Sequence, residues 1–140
     1  MLKKLLIMAE VKRYLIVDDD RSNNLICKCS IKRFAADAEI LSFLEPEVAL
    51  QFIRNSYDGE YEKLPTIIFL DINMPIISGW EFLKIFKTLP NKLQEQFSVF
   101  MLTSSIDIRD QQKAEEDPLI KGFLRKPLNT QMVSEIMTII

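Results

Sequence analysis

Ile67-Ile68-Phe69-Leu70-Asp71 is an apolar run of strand length that ends on a carboxylate. An apolar run with no period-two alternation suits a strand covered on both faces, as in a parallel sheet. Working outward, a second such run, Tyr14-Leu15-Ile16-Val17, ends on Asp18, Asp19 and Asp20. Two parallel strands of one open sheet would bring these carboxylates into a single crevice at their C-terminal ends, where α/β sheets bind ligands. Two carboxylates about 5 Å apart repel by ~3 kcal/mol at an effective dielectric near 20. Such a cluster calls for a neutralising partner, and a hard divalent cation suits carboxylate oxygens. Lys126, after another short apolar run, brings a second positive charge. The pattern suggests magnesium-assisted chemistry on a phosphoryl group.

The rest of the chain alternates apolar and amphipathic runs. Asp20 or Ser22 can cap a helix running to about Phe34. Glu39 to Phe43 reads as a strand, and Pro46 opens a helix through Ala49, Phe52 and Ile53. Residues 55 to 64, with Gly59, read as a loop before the strand Thr66 to Leu70. Met74-Pro75 and Ser78-Gly79 mark a loop, and Trp80 to Leu89 an amphipathic helix stopped by Pro90. Phe97 to Leu102 is a fourth strand, ending in Thr103-Ser104-Ser105. A polar helix, Ile106 to Glu116, is expected to be the least buried. Gly122 to Leu124 is a short fifth strand followed by Lys126-Pro127, and Thr130 to Ile140 closes the chain as a helix. Repeated strand–helix alternation means a parallel sheet with helices on both faces.

The composition agrees. With 140 residues, 48% hydrophobic and 27% charged, the chain fits one globular domain. A net charge of −2 gives no basic face for nucleic acid. No run approaches transmembrane length, so a cytoplasmic protein with no membrane partner is expected. Met1 to Met8 only faintly imitates a signal peptide, because charges follow at once and no small-residue cleavage site does. Residues 1–13 read as an N-terminal extension, and Met8 is a candidate native start. Cys27 and Cys29, two apart on a helix, point to different faces, and without histidine they make no zinc site. They read as two small apolar residues in a reducing compartment.

Four strand-end features then line up: Asp18-Asp19, Asp71, Thr103 and Lys126. The chain resembles the response-regulator receiver domains of two-component signalling, in particular stand-alone chemotaxis-type regulators. The matching segments are Leu15-Ile16-Val17-Asp18-Asp19-Asp20, Asp71-Ile72-Asn73-Met74-Pro75-Ile76-Ile77-Ser78-Gly79, Leu102-Thr103-Ser104 and Gly122-Phe123-Leu124-Arg125-Lys126-Pro127. Each is weak alone; all in order, each at a strand end, are specific. The resemblance covers residues 14–140. It implies a flavodoxin-like, doubly wound, five-stranded parallel sheet of order 2-1-3-4-5. It implies that Asp71 is the phosphoacceptor, with Mg2+ held by Asp18, Asp19, Asp71 and the Asn73 backbone carbonyl. Lys126 and Thr103 would hold phosphoryl oxygens, and Phe123 would rotate as Thr103 moves inward, with the small Ser104 leaving room. The partners implied are a sensor histidine kinase or histidine phosphotransfer protein as donor. A downstream protein would dock on the face of the fourth helix (106–116), the fifth strand and the fifth helix (130–140). The protein would be a monomer or a phosphorylation-dependent dimer. No effector domain follows, so the output is expected to be a protein contact. Such a protein is a switch that catalyses its own phosphorylation and dephosphorylation, rather than an enzyme acting on a free substrate.

Blander roles fit several neighbours. Asp20 suits a helix cap better than a metal ligand. Ser104 and Ser105 lack any histidine to activate them. Asn73 and Ser105 flank the acceptor, placed to influence acyl-phosphate lifetime. Trp80 suits packing, Arg125 suits solvent, and a cis peptide before Pro127 would aim Lys126 into the site. Met132, Ile136 and Ile140 suit the core. The stretches 56–64 and 89–96 look long for the family, both on the edge away from the chemistry. Two other function classes remain in view. A magnesium-dependent aspartyl-phosphate phosphohydrolase would want a second aspartate where Asn73 stands, and a cap domain. A binding-only degenerate receiver would have little use for the full set of Asp18, Asp19, Asp71, Thr103 and Lys126. The three glycines form no phosphate-binding loop, so no nucleotide or flavin cofactor is expected.

Overall fold

A computed structural model describes residue 11 and residues 13–57 and 64–140. The expectations for the extension before Val11, for Met8 as a start and for the loop around Gly59 lie outside the described residues. Five strands, β1 (Arg13–Val17), β2 (Glu39–Phe43), β3 (Thr66–Asp71), β4 (Phe97–Thr103) and β5 (Ile120–Arg125), form one sheet of order β2-β1-β3-β4-β5. All four pairings are parallel. Among the described residues, α1 (Arg21–Phe34), α2 (Pro46–Ser56), α3 (Gly79–Phe86) and α4 (Ile108–Glu115) lie between successive strands, and α5 (Thr130–Ile136) follows β5. The doubly wound, flavodoxin-like sheet expected from the sequence is the sheet observed.

Alternate residues of the central strands feed two separate cores. Leu15, Val17, Ile68, Leu70, Val99 and Met101 pack with Ala49, Leu50 and Ile53 of α2 and Phe82, Leu83 and Phe86 of α3. Tyr14, Ile16, Ile67, Phe69, Phe100 and Leu102 pack with Cys27 and Ile31 of α1 and Val133 and Ile136 of α5. Every residue of β3 is buried, which is why its sequence shows no alternation. Removing a Leu, Ile or Phe side chain from water contributes about 1.5–3 kcal/mol, so this double core anchors the strand ends that carry the polar groups.

Local chemistry sets the helix starts. Asp20 caps α1, its carboxylate accepting from the backbone N–H groups of Ser22 and Asn23. Pro46 opens α2. Ser78 and Glu81 form a reciprocal capping box on α3, so Ser78-Gly79 marks a helix start as well as the end of a loop. Asp107 caps α4, in which only Ala114 is buried.

Some boundaries differ from expectation. α3 stops at Phe86 rather than Leu89. The stretch read as an extended insertion contains a single helical turn, Asn91–Gln94, with Leu93 buried. The Gln94 side chain donates to the Lys87 and Leu89 carbonyls at 3.0 and 2.7 Å, closing the end of α3. β5 is longer than Gly122–Leu124, because Ile120 pairs with Val99 across a register shift at Val99/Phe100. α5 ends at Ile136; that residue is buried, and Met132 and Ile140 pack partly buried on the same core. The Lys126–Pro127 peptide is cis.

Candidate active site

The parallel register delivers the polar residues to one edge. Asp18 follows β1, and its N–H still pairs with the Phe43 carbonyl of β2 at 3.0 Å. Asp71 is the last residue of β3, opposite Leu102 of β4. The Lys126 N–H donates to the Thr103 carbonyl at 2.8 Å, so β5 carries Lys126 alongside the end of β4. Asp18, Asp71 and Thr103 are buried, whereas Asp19 is exposed. The Lys126 ammonium reaches across two strands, 2.7 Å from Asp18 Oδ2 and 3.2 Å from Asp71 Oδ1.

Gly79 shapes the floor of the crevice. A Cβ there would lie 2.5 Å from the Asp71 carbonyl oxygen and 3.1 Å from the Ile72 Cα. The Gly79 N–H donates to the Ile72 carbonyl at 2.8 Å. The turn after Asp71 is thus closed by backbone packed on backbone, which only a residue without a side chain permits.

Burial raises the Asp71 carboxyl to about 6, and the negative charge of Asp18 adds to the rise; Lys126 and the Asn73 N–H oppose it. Burial works to lower the Lys126 ammonium, but its bonds to Asp18 and its proximity to Asp71 outweigh that, and its pKa is raised. Among the described residues, three carboxylates face one ammonium here, a formal charge of −2. Oxygens of Asp18, Asp19 and Asp71 lie within 4.8 Å of one another. Asp18, Asp19 and Asp71 would supply oxygens to a magnesium ion, which takes oxygen ligands and keeps several waters, so few protein ligands suffice. Donor type, spacing and charge all fit a small hard divalent cation.

The remaining expected residues are placed as follows. The Asn73 N–H donates to Asp71 Oδ1 at 3.3 Å, and its side chain is exposed. The Thr103 hydroxyl does not point its proton at the carboxylates. It donates to the Ser105 carbonyl at 2.6 Å and accepts from the Ser105 N–H at 3.2 Å. Ser104 is exposed beside it. Phe123 is partly buried in β5, in register with Met101 and packed on the core. Arg125 is exposed. Cys27 is buried and Cys29 exposed, and burial, then Asp18, pushes the Cys27 thiol up to about 12.

Two residues and one contact are not foreseen from the sequence. Asn23 and Asn24, buried on α1, both donate to Asp18. Two consecutive asparagines inside a helix, where they are poor formers, were the available signal. Trp80 Nε1 donates to Asp110 of α4 at 3.0 Å, and Lys113 lies 4.6 Å from its ring centroid. That contact joins helices distant in sequence and left no local trace.

The family model for the response regulator receiver domain matches residues 14–138. A crystal structure of a two-component response regulator from Cytophaga hutchinsonii is similar at 30% identity and a TM-score of 0.79, covering 92% of this chain and 96% of that one. A response regulator receiver protein from Dyadobacter fermentans is similar at 26% identity and a TM-score of 0.80, covering 91% and 96%. The chemotaxis protein CheY4 of Vibrio cholerae shares the fold, at 22% identity, a TM-score of 0.71 and coverage of 93% and 99%. No curated protein matches the sequence at a significant level. Among the described residues, no helix is long and apolar enough to cross a membrane.

Proposed function

The chain belongs to the response regulator receiver domain family, and from that premise we propose that residues 14–140 take a phosphoryl group onto Asp71. Its donor is a phosphohistidine on a sensor kinase or phosphotransfer protein in the cytoplasm, where ATP charges such kinases. The observation that carries this reading is the Lys126 ammonium bridging Asp18 and Asp71 across the ends of β1, β3 and β5. It marks where a second cation and a phosphoryl group would enter.

An oxygen of the Asp71 carboxylate attacks phosphorus in line with the donor nitrogen. The new O–P bond forms as the P–N bond breaks, and the electron pair leaves on the imidazole nitrogen, which takes up a proton. Asp18, Asp19, Asp71 and the Asn73 carbonyl would hold Mg2+, which when bound neutralises charge on the transferred group. Lys126 turns from the two carboxylates to a phosphoryl oxygen. Thr103 exchanges its bond to the Ser105 carbonyl for one to another phosphoryl oxygen. That exchange replaces a neutral hydrogen bond with a charge-assisted one, roughly twice as strong. Movement of Thr103 past Ser104 vacates space into which Phe123 turns. The surface of α4, β5 and α5 then changes its affinity for a target protein. α4 suits a moving element, because Ala114 is its only buried residue.

Intact-protein mass after incubation with acetyl phosphate tests this. A single hydroxylamine-labile phosphate adduct is expected with magnesium, reduced at least tenfold by chelation and absent in Asp71→Asn. An adduct that persists in Asp71→Asn would move the acceptor elsewhere. Neither adduct nor released phosphate would favour a binding-only module.

A further inference from the structure

We infer that Asn23 is a positioning residue for Asp18: its side-chain amide fixes how that carboxylate presents its oxygens to the divalent cation. The inference rests on the reading of the crevice as a magnesium site and adds a residue to it.

Asn23 and Asn24 follow one another near the start of α1, each only 6% exposed. Asparagine is a poor residue for a helix interior, and burying its amide without a partner costs about 1–3 kcal/mol. Both amides are directed at one residue. Asn23 Nδ2 lies 2.5 Å from Asp18 Oδ2, and Asn24 Nδ2 lies 3.0 Å from the Asp18 carbonyl oxygen. The same Asn23 nitrogen lies 3.7 Å from Cys27 Sγ. Each of its two hydrogens therefore has an acceptor, and an amide oxygen turned toward the carboxylate would meet only repulsion.

Asp18 is held from three sides. Its Oδ1 accepts from the Asp20 N–H at 2.9 Å, while Oδ2 accepts from Asn23 and from Lys126. The two side-chain donors crowd Oδ2, and Oδ1, with a single donor, keeps a lone pair for the cation or one of its waters. Without Asn23, Oδ2 keeps only Lys126 as a side-chain donor, and the plane of the carboxylate is free to tilt about χ2 away from the crevice.

Charge explains why the donor is an amide. Asp18, Asp19, Asp71 and Lys126 sum to −2, matched to a divalent ion. A lysine or arginine in place of Asn23 would orient Asp18 equally well but halve that charge. Partners that orient metal-binding side chains typically change metal affinity 10–100-fold.

The test is Mg2+ affinity by calorimetry of the native chain, Asn23→Leu and Asn23→Ser, with 15N spectra and melting in EDTA. Leucine is close in size but has no donor; serine is too short to reach Asp18. Affinity at least tenfold weaker in both is expected, with the Asp20 amide signal displaced, remote amides unmoved and melting within a few degrees of native. Affinity within twofold of native in either folded variant overturns the inference alone. A native chain that binds no Mg2+ overturns the magnesium reading of the crevice and the inference together. Should the leucine variant fail to fold, the serine variant decides.

Discussion

The two edges of the sheet handle buried charge in opposite ways. At the C-terminal edge, among the described residues, Asp18 and Asp71 share one ammonium, Lys126, and Asp19 adds a third carboxylate beside them. At the N-terminal edge, the Arg13 guanidinium has, among the described residues, one carboxylate partner, Glu39, at 3.0 Å, and the rings of Phe52 and Tyr57 pack over it at 5.2 and 5.5 Å. Among the described residues this pair is matched one to one and covered by aromatic faces. The aspartate cluster is unbalanced by two charges and open through Asp19. Burial of charge alone does not mark a site; an unmatched charge that the fold tolerates does.

The sharpest way to break this contrast is at Gly79. Asp71 owes its place at the open edge to backbone packed on backbone, so Gly79→Ala should cost about 1–3 kcal/mol and displace the Asp71 carbonyl. Urea unfolding and adduct formation should both fall. A variant as stable and as reactive as native would show that the turn yields freely.

Asp71 itself should be destabilising when no metal is bound. Its carboxyl is raised to about 6 in the folded chain from an ordinary value of 3.8. Between these values the folded state keeps a proton that the unfolded state has released. Stability therefore falls as pH rises through that window, and the full penalty is present above it. Asp71→Asn in EDTA should gain roughly 1–2 kcal/mol at pH 7.5, less than the full shift implies because solvent reaches the open edge, and lose that gain near pH 3.5. Equal gains at both pH values would mean that shape, not charge, makes the difference.

The smallest effect is expected at the balanced edge. Glu39 is 49% exposed, so its pair with Arg13 is screened, and Glu39→Gln should cost no more than about 1 kcal/mol. Phosphate adduct yield should be native. A loss of yield would show that the two edges are coupled through β1, which carries Arg13 at one end and leads to Asp18 at the other.

Much of this is legible in the sequence. The runs at 14–17, 67–70 and 97–102 are apolar on both faces because each strand feeds two cores, and that double burial is visible as missing alternation. Asp20, Pro46 and the asparagine at 129 are helix-start residues by type, and all three helices start where the sequence places them; Asn129, which caps α5 by accepting from the Met132 N–H, is the one whose role the sequence reading does not name. β5 was harder. Its Lys121 and Gly122 interrupt the apolar signal, and Gly122 is required because a Cβ would lie 2.8 Å from the Phe100 ring on the neighbouring strand. The single turn at 91–94 also left little trace, since Leu93 is its one buried residue.

By itself the sequence determined the strand–helix alternation, the parallel sheet and the set of strand-end residues, because burial period, capping chemistry and turn residues act within a few positions of one another. Only the tertiary structure decided who meets whom at those ends. The bridge from Lys126 to Asp18 and Asp71, the turn of Thr103 toward Ser105, the grip of Asn23 on Asp18 and the tie from Trp80 to Asp110 all depend on strand register and helix placement. Those follow from how two whole cores pack, and most of these contacts join residues far apart along the chain, where local propensity carries no information about the partner.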